Sequence, residues 1–404
     1  MREDAPVSSA QARRRPELAE LLRRPRYPSF ALTVLLARSS SAMFNVSAVL
    51  LVLARTGSAP LAGVTAAAAV LPGAVTGPML GAWLEVVSRR RVWIVFDQLL
   101  SVAGLLGVLL LAGHGPNWTV PAVAIVYSVT RPISSGTFYS ALGEIAGAGL
   151  LDMASTIEAS SLNLSIVVGP ALAGLLAGAT SPATAIVVQA AVTVAVAALV
   201  AINPAFEARS PERVDSVAHA LREGTRALVH NPVLRTVGLG STLAAFGWGL
   251  MMIGFPLYAA RTLHAGAHAG GYLWAGVAFG SILGTFALRG SPTLRRIGAS
   301  YGILGASALV WPLAHSLALG IVLVTVTGFL EGPAYSDTIA LRQRHTPPAV
   351  RAQVMTTTTG IGFVAISAGS AIGGVVHAIL PLAIAFAAIN AVASFTAARM
   401  RTTR

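Results

Sequence analysis

The chain has 404 residues, of which 55% are hydrophobic and only 11% are charged, and its mean hydropathy is +0.72. A soluble globular chain has about 25% charged residues, so this composition excludes a soluble enzyme and a disordered chain. The sequence contains no cysteine, which excludes a disulfide scaffold. The formal net charge of +13 comes from 28 basic residues, all of them arginine, and its meaning depends on where they lie.

Twelve apolar stretches are long enough to cross a bilayer, which needs about 20 residues per helix. They predict an all-α membrane protein with twelve transmembrane helices in two six-helix halves, at residues 28–202 and 236–398. Residues 1–27 and 399–404 are predicted to be tails, and residues 203–235 a linker. The predicted spans are 28–54, 60–84, 92–114, 119–142, 155–178, 182–202, 236–259, 268–288, 297–314, 317–341, 354–377 and 379–397.

The arginines report the orientation of these spans. On alternate sides of the twelve stretches, 24 of the 28 arginines fall on the side that also carries both termini. Arg55 and Arg261 lie on the other side, and Arg38 and Arg131 lie inside spans. The positive-inside rule therefore predicts cytoplasmic termini and an even number of spans in a bacterial plasma (inner) membrane. It also removes nucleic acid as a partner, because the basic charge faces the lipid surface.

The two halves repeat one another. Residues 135–140 match 331–336, 169–174 match 369–374, 77–81 match 280–284, and 54–56 match 260–262. Four matches in the same order indicate a parallel repeat, as in many secondary transporters. Between the halves, residues 212–229 have the pattern of an amphipathic helix lying on the cytoplasmic membrane surface, with a plain covalent tether as the alternative.

Several motifs together resemble those of the major facilitator superfamily. Gly81, Glu85 and the arginines that follow resemble the signature of its loop between the second and third helices, although Val86 and Ser88 replace the usual Arg and Gly. Residues 131–136 resemble the fourth-helix arginine motif. Residues 332–351 are similar to bacterial efflux permeases of the enterobactin-exporter and macrolide-efflux type. A further motif, similar to the fifth-helix motif of proton-driven exporters, predicts a helix kink at Gly169, Pro170 and Gly174.

The resemblance implies a central cavity lined by the first, fourth, seventh and tenth helices. An ionisable side chain inside a span costs about 3 kcal/mol at the centre and so marks a wet cavity or a partner. Helical spacing puts the polar residues of these spans on shared faces, which would suit an amphipathic or anionic organic molecule. The candidates for lining the cavity are Arg38, Ser41, Asn45, Tyr127, Arg131, Ser135, Trp248, Thr327 and Tyr335.

Glu331 is the candidate for proton coupling. Burial favours its neutral form and a nearby arginine favours its charged form, so opening the cavity to opposite sides would change its proton affinity. The alternative is a permanent ion pair with Arg38 or Arg131 that only holds the halves together. Asp97 is expected either to pair with Arg89 or Arg90 in a cytoplasmic gate or to be a helix-end acid. The candidates for that gate are Gly81, Glu85, Arg89, Arg90 and Asp97.

Other chemistry finds little support. With no lysine there is no phosphate-binding Gly-Lys loop, and the eight histidines are dispersed without metal-ligand spacing, so we expect no enzyme activity, metal or cofactor. The sequence therefore predicts a secondary transporter, monomeric in the bilayer, that exports a small organic molecule or drug by proton antiport. The alternatives are an importer or uniporter, a transport-inactive sensor, and a membrane-embedded enzyme or lipid-handling protein.

Overall fold

The apolar stretches form helices throughout, and the residues that the structure describes contain no strand. The structure is a computed structural model that describes residues 18–86, 89–147, 149–207, 226, 228–288, 290–346, 351–376 and 378–399. Its helices of ten residues or more are α1 Tyr27–Thr56, α2 Ala59–Ala68, α3 Leu71–Val86, α4 Arg90–Leu111, α5 Thr119–Val129, α6 Arg131–Ala146, α7 Leu151–Ala179, α8 Pro182–Ile202, α9 Pro232–Arg261, α10 Gly270–Ala287, α11 Leu294–Ala308, α12 Leu317–His345, α13 Arg351–Gly373 and α14 Ile379–Arg399.

Each of the twelve predicted spans is found as one helix or as two consecutive helices. Eight candidate spans in the described residues are long and apolar enough to cross a membrane. The fifth and eleventh spans have only shorter apolar stretches, Val168–Ala179 and Thr357–Gly373. The ninth is shorter than predicted: α11 ends at Ala308 and a 3-10 turn follows at Trp311–Leu313, because Pro312 has no N–H for the carbonyl of Ala308.

Proline also breaks the second and fourth spans, which were predicted to be continuous. α2 ends four residues before Pro72, and a turn at Ala69 and Val70 separates it from α3. α5 ends just before Thr130, and Pro132 is the second residue of α6. In both places the proline ring cannot donate to the carbonyl four residues earlier, so the helix is interrupted.

The two halves meet most closely at the ends of the helices that lie farthest from the chain termini. A Cβ atom added at Gly174 on α7 would lie 2.5 Å from the Cα atom of Gly271 on α10. A second contact joins α2 to α13, where a Cβ atom at Gly63 would lie 2.6 Å from the carbonyl oxygen of Ser370. These glycines let the backbones touch, so this end of the molecule is closed.

The apolar core differs between the halves. The N-terminal half has two separate clusters of buried apolar side chains, one around Phe44 and Leu105 and the other around Phe30 and Phe138. The C-terminal half is filled by one cluster, which includes Trp311 and extends to Met43 and Leu50 of the N-terminal half. Along the chain, buried polar side chains of the candidate site, among them Arg38 and Asp97, lie between the two N-terminal clusters.

Candidate substrate cavity and coupling site

Arg38 is neutralised within its own half. Its Nη2 atom lies 2.5 Å from Oε1 of Glu158 on α7, and its Nη1 donates to the backbone carbonyl of Glu158 at 3.1 Å. Both side chains are almost fully buried, with exposures of 9% and 6%. Arg38 was predicted to line the cavity. Its ion pair with Glu158 instead joins the first and fifth spans.

Tyr127 and Arg131 form a second polar group, at the break in the fourth span. The ring of Tyr127 stacks on Phe44, with centroids 3.9 Å apart, and its hydroxyl accepts a hydrogen bond from Nη1 of Arg131 at 2.8 Å. Ser41 also hydrogen-bonds to Tyr127. The structure therefore brings these three predicted cavity residues together. Asn45 lies one turn beyond Ser41 on α1 and is half-buried.

Asp97 is buried in the middle of the N-terminal half, with 1% exposure. Its Oδ2 accepts hydrogen bonds from Ser134 and from Nε2 of Gln98, and its Oδ1 has no hydrogen-bond partner in the part of the chain that the structure describes. Arg131 is the cation that interacts electrostatically with it. Neither expectation for Asp97 describes this position: within the described residues it has no ion pair with Arg89 or Arg90, and it does not reach the helix end.

Glu331 lies on α12 and is partly exposed. Its Oε2 accepts a hydrogen bond from the hydroxyl of Ser281 on α10 at 2.7 Å. No ion pair of Glu331 occurs among the described residues, so the expected pairing with Arg38 or Arg131 is absent from this conformation. Tyr335, one turn further along α12, is half-buried.

Thr327 and Trp248, two predicted cavity residues of the C-terminal half, have their partners within that half. Thr327 is 0% exposed, and its hydroxyl accepts hydrogen bonds from Nε1 of Trp311 and from Ser307, both at 3.0 Å. It therefore faces α11, away from Glu331. Trp248 is half-buried and packs edge-on against Phe386 at 5.0 Å and beside Trp274 at 5.7 Å, within an aromatic cluster.

Ser135 was predicted to line the cavity, and the remaining candidates were predicted to form the cytoplasmic gate. Ser135 is exposed, but its hydroxyl donates to the carbonyls of its own helix, at Arg131 and Pro132. Gly81 and Glu85 belong to α3, and their surroundings are not among the described features. Arg89 is exposed and precedes the first residue of α4, Arg90, which is half-buried.

The motif of the fifth span, predicted to kink its helix, lies within the continuous helix α7. Pro170 lies inside α7, which continues to Ala179. A Cβ atom at Gly169 would lie 2.5 Å from Cβ of Ala42 on α1, whereas Gly174 faces α10 of the other half. Residues 212–225 and 227 of the linker helix predicted at 212–229 lie outside the described residues.

Sequence reasoning missed some of the polar partners. Ser281 is the residue that the repeat aligns with Pro78, and this replacement of a proline by a hydroxyl could have indicated it. Arg296 on α11 also pairs with Asp337 on α12 at 2.8 Å. No group of three or more His, Asp or Glu side chains that could hold a metal occurs among the described residues.

Comparison with known proteins assigns this architecture. Residues 30–374 match the model of the Major Facilitator Superfamily, so the chain belongs to this family of membrane transporters. It is 28% identical to an uncharacterised MFS-type transporter of Sinorhizobium fredii over 364 residues, covering 86% of this chain and 87% of the relative. It is also 28% identical, over 367 residues and the same shares of both chains, to the multidrug efflux pump Tap of Mycobacterium tuberculosis.

Solved structures support the fold. The POT family transporter PepTSo superposes with a TM-score of 0.69 at 13% identity, covering 94% of this chain and 99% of that one. A mutant of the nucleoside transporter NupG gives 0.68 at 12% identity, covering 93% of this chain and 100% of that one. At these identities the likeness concerns the fold alone, and it confirms the predicted twelve-helix major facilitator architecture.

Proposed function

We propose that this transporter exports a small organic molecule in exchange for protons, and that the molecule carries a positive charge. The carboxyl group of Glu331 supports the proposal. It is partly exposed, lies within a span, and has a serine hydroxyl rather than an arginine as its partner among the described residues. A carboxylate in such surroundings needs a counter-charge, which either a proton or a cationic substrate supplies.

The arrangement of the other charges favours a cationic substrate over the amphipathic or anionic one that the sequence suggested. Arg38 is balanced by Glu158, and Arg131 has Asp97 close enough for electrostatic interaction. The N-terminal half therefore contributes no net charge from these four groups. Of these five charged groups, Glu331 is the one without an oppositely charged partner among the described residues.

Competition for one carboxyl group couples the two movements. A protonated Glu331 has no charge with which to hold a cation, and a bound cation excludes the proton. With one end closed by the glycine contacts between the halves, rocking of the halves would present Glu331 to each side in turn. The relatives named as multidrug efflux pumps support export as the direction.

The test uses inside-out vesicles with an acidified lumen and the permeant cation ethidium. We expect ethidium to release protons from the lumen, and an anionic dye of similar size to release none. Glu331→Gln should abolish the ethidium response, since its amide carries no charge and no titrating proton, whereas Glu331→Asp should retain part of it. Glu207→Gln is the matched control, because Glu207 is 61% exposed and pairs with Arg91 at the surface.

The alternatives give different outcomes in the same vesicles. An importer or uniporter moves ethidium without releasing luminal protons, and a sensor or lipid-handling protein binds ethidium without moving it. A proton response that persists in Glu331→Gln would remove Glu331 from the coupling. We propose that the protein works as a monomer in the bacterial plasma membrane with its proton gradient as energy source, both termini cytoplasmic and its halves at residues 28–202 and 236–398.

A further inference from the structure

The breaks in the second and fourth spans lie against each other. Pro72 leaves the carbonyl of Ala68 without its helical donor. The hydroxyl of Ser128 on α5 donates to that carbonyl at 3.1 Å and shares its hydrogen with the carbonyl of Ile125 on its own helix at 3.2 Å. A Cβ atom added at Gly73 would lie 2.7 Å from the carbonyl oxygen of Ser128, so the two backbones touch here. Within a membrane a freed carbonyl needs such a donor, because no bulk water is available.

The fourth span receives the same help from the second. After the break, the N–H of Ile133 donates to the carbonyl of Thr130 at 2.9 Å instead of to that of Val129. The hydroxyl of Thr76 on α3 donates to the carbonyl of Val129 at 2.8 Å. Each span thus supplies a hydroxyl to the break in the other. We call this arrangement the crossed break and define it by Pro72, Thr76, Ser128 and Pro132.

The described part of the C-terminal half has no counterpart to the crossed break. The internal repeat aligns Pro72 with Ala275 and Pro132 with Gly328, and both helices, α10 and α12, are continuous through these positions. They cross with their backbones in contact, since a Cβ atom at Gly280 would lie 2.0 Å from the carbonyl oxygen of Thr325. Two unbroken helices in such contact move together.

The apolar core of the N-terminal half is divided near the crossed break. The two apolar clusters of the N-terminal half lie on either side of buried polar side chains that include Asp97, Gln98 and Ser134. The break in the fourth span lies in this polar layer, between Tyr127 and Ser134 along the chain. A core divided in this way offers less resistance to bending than the single cluster of the C-terminal half.

We propose that the N-terminal half bends at the crossed break during transport, while the C-terminal half moves as a rigid body. Thr76 and Ser128 are positioning residues in this motion. Arg131 is the first residue of α6 and Tyr127 lies in the last turn of α5, so the hydrogen bond between them spans the break. Bending changes the angle between α5 and α6 and moves Arg131 relative to Tyr127 and Asp97. This proposal goes beyond proton coupling and does not depend on the substrate.

The first test measures conformation without substrate. Because the chain has no cysteine, spin labels can be placed at Trp118→Cys and Leu313→Cys, two exposed positions in the corresponding loops of the two halves. In lipid nanodiscs, Thr76→Val and Ser128→Ala should each change the ratio of short to long label-to-label distances several-fold. Thr76→Ser and Ser128→Thr should restore the wild-type distribution, since they keep the hydroxyl. The control is Thr65→Val, because the Thr65 hydroxyl bonds to its own helix at Leu61.

The second test separates bending from stability. Pro132→Ala allows the fourth span to continue as a helix, so we expect it to raise the melting temperature while lowering the turnover of ethidium transport at least tenfold with little change in KM. The hydroxyl variants should lower both stability and turnover. Three outcomes would each overturn the proposal. The first is a wild-type distance distribution in Thr76→Val, Ser128→Ala and Pro132→Ala. The others are an equal change in Thr65→Val and full turnover in Pro132→Ala. The distance measurement is unaffected if ethidium is not transported.

Discussion

Replacing Gly174 by alanine tests whether the contact between the halves sets the conformational equilibrium. The added Cβ atom would lie 2.3 Å from the carbonyl oxygen of Gly271 and 2.5 Å from its Cα atom, where ordinary contacts are about 3.4 to 4 Å. The two helices would have to separate by about 1 Å. Overpacking of this kind costs about 1–3 kcal/mol.

The cost should fall on one conformation. Gly174 and Gly271 belong to different halves, so the clash exists only while this end of the transporter is closed. A penalty of about 1–3 kcal/mol then changes the ratio of closed to open molecules about 5- to 150-fold. We expect spin labels at Trp118→Cys and Leu313→Cys to report longer distances in Gly174→Ala than in the wild type.

Two other glycines provide control variants for Gly174→Ala. Gly169 faces α1 within the same half, so Gly169→Ala should lower the melting temperature without opening the closed end. Gly238 on α9 has no atom within 4 Å of an added Cβ, so Gly238→Ala should change neither quantity. If Gly174→Ala leaves the distance distribution of the wild type intact, or if Gly169→Ala shifts it equally, the contact between the halves does not control opening.

Two further predictions concern the ion pair of the first and fifth spans and the orientation of the chain. Glu158→Gln should destabilise the purified protein by about 3–5 kcal/mol, because it leaves Arg38 buried without its counter-charge. The double variant Arg38→Gln/Glu158→Gln should recover part of this loss in thermal denaturation. Equal stability of the single variant and the wild type would show that the pair is not needed. A reporter enzyme that works only in the cytoplasm should be active when it is fused after Arg404. Activity at this position of a reporter that works only outside the membrane would contradict the proposed topology.

The sequence predicts the spans well because their signal is local. Twenty consecutive apolar residues have few alternatives to a membrane helix, and the family match confirms this part. The internal repeat likewise needs no contacts. Proline supplies a further local signal: Pro72 and Pro132 mark both breaks, although the prediction ran the spans through them because hydropathy alone does not register the missing N–H.

The partners of the buried polar residues could not be predicted in this way. Thr327 and Glu331 are four residues apart and so share a helix face, but each step of four residues also rotates by about 40°. This rotation is enough to direct Thr327 to Trp311 in the turn after α11 and Glu331 to Ser281 on α10. Which neighbour a side chain meets depends on the rotation of the whole helix, and the spacing of residues does not fix that rotation.

The differences between the halves are more informative than their likeness. The repeat aligns proline with alanine in one pair of positions and with glycine in the other, and the structure has breaks only where proline occurs. Proline removes a helical hydrogen bond that alanine and glycine retain, so we place the proposed bending in the half where both crossing helices are interrupted; in the other half α12 is continuous even through Pro333. The partly exposed carboxyl group of Glu331 lies in the half that stays continuous, and Arg131 lies at the break. In the proposed motion the C-terminal half carries Glu331 as a rigid body, and the N-terminal half bends and reorients Arg131. Binding at Glu331 and opening of the cavity would then change together.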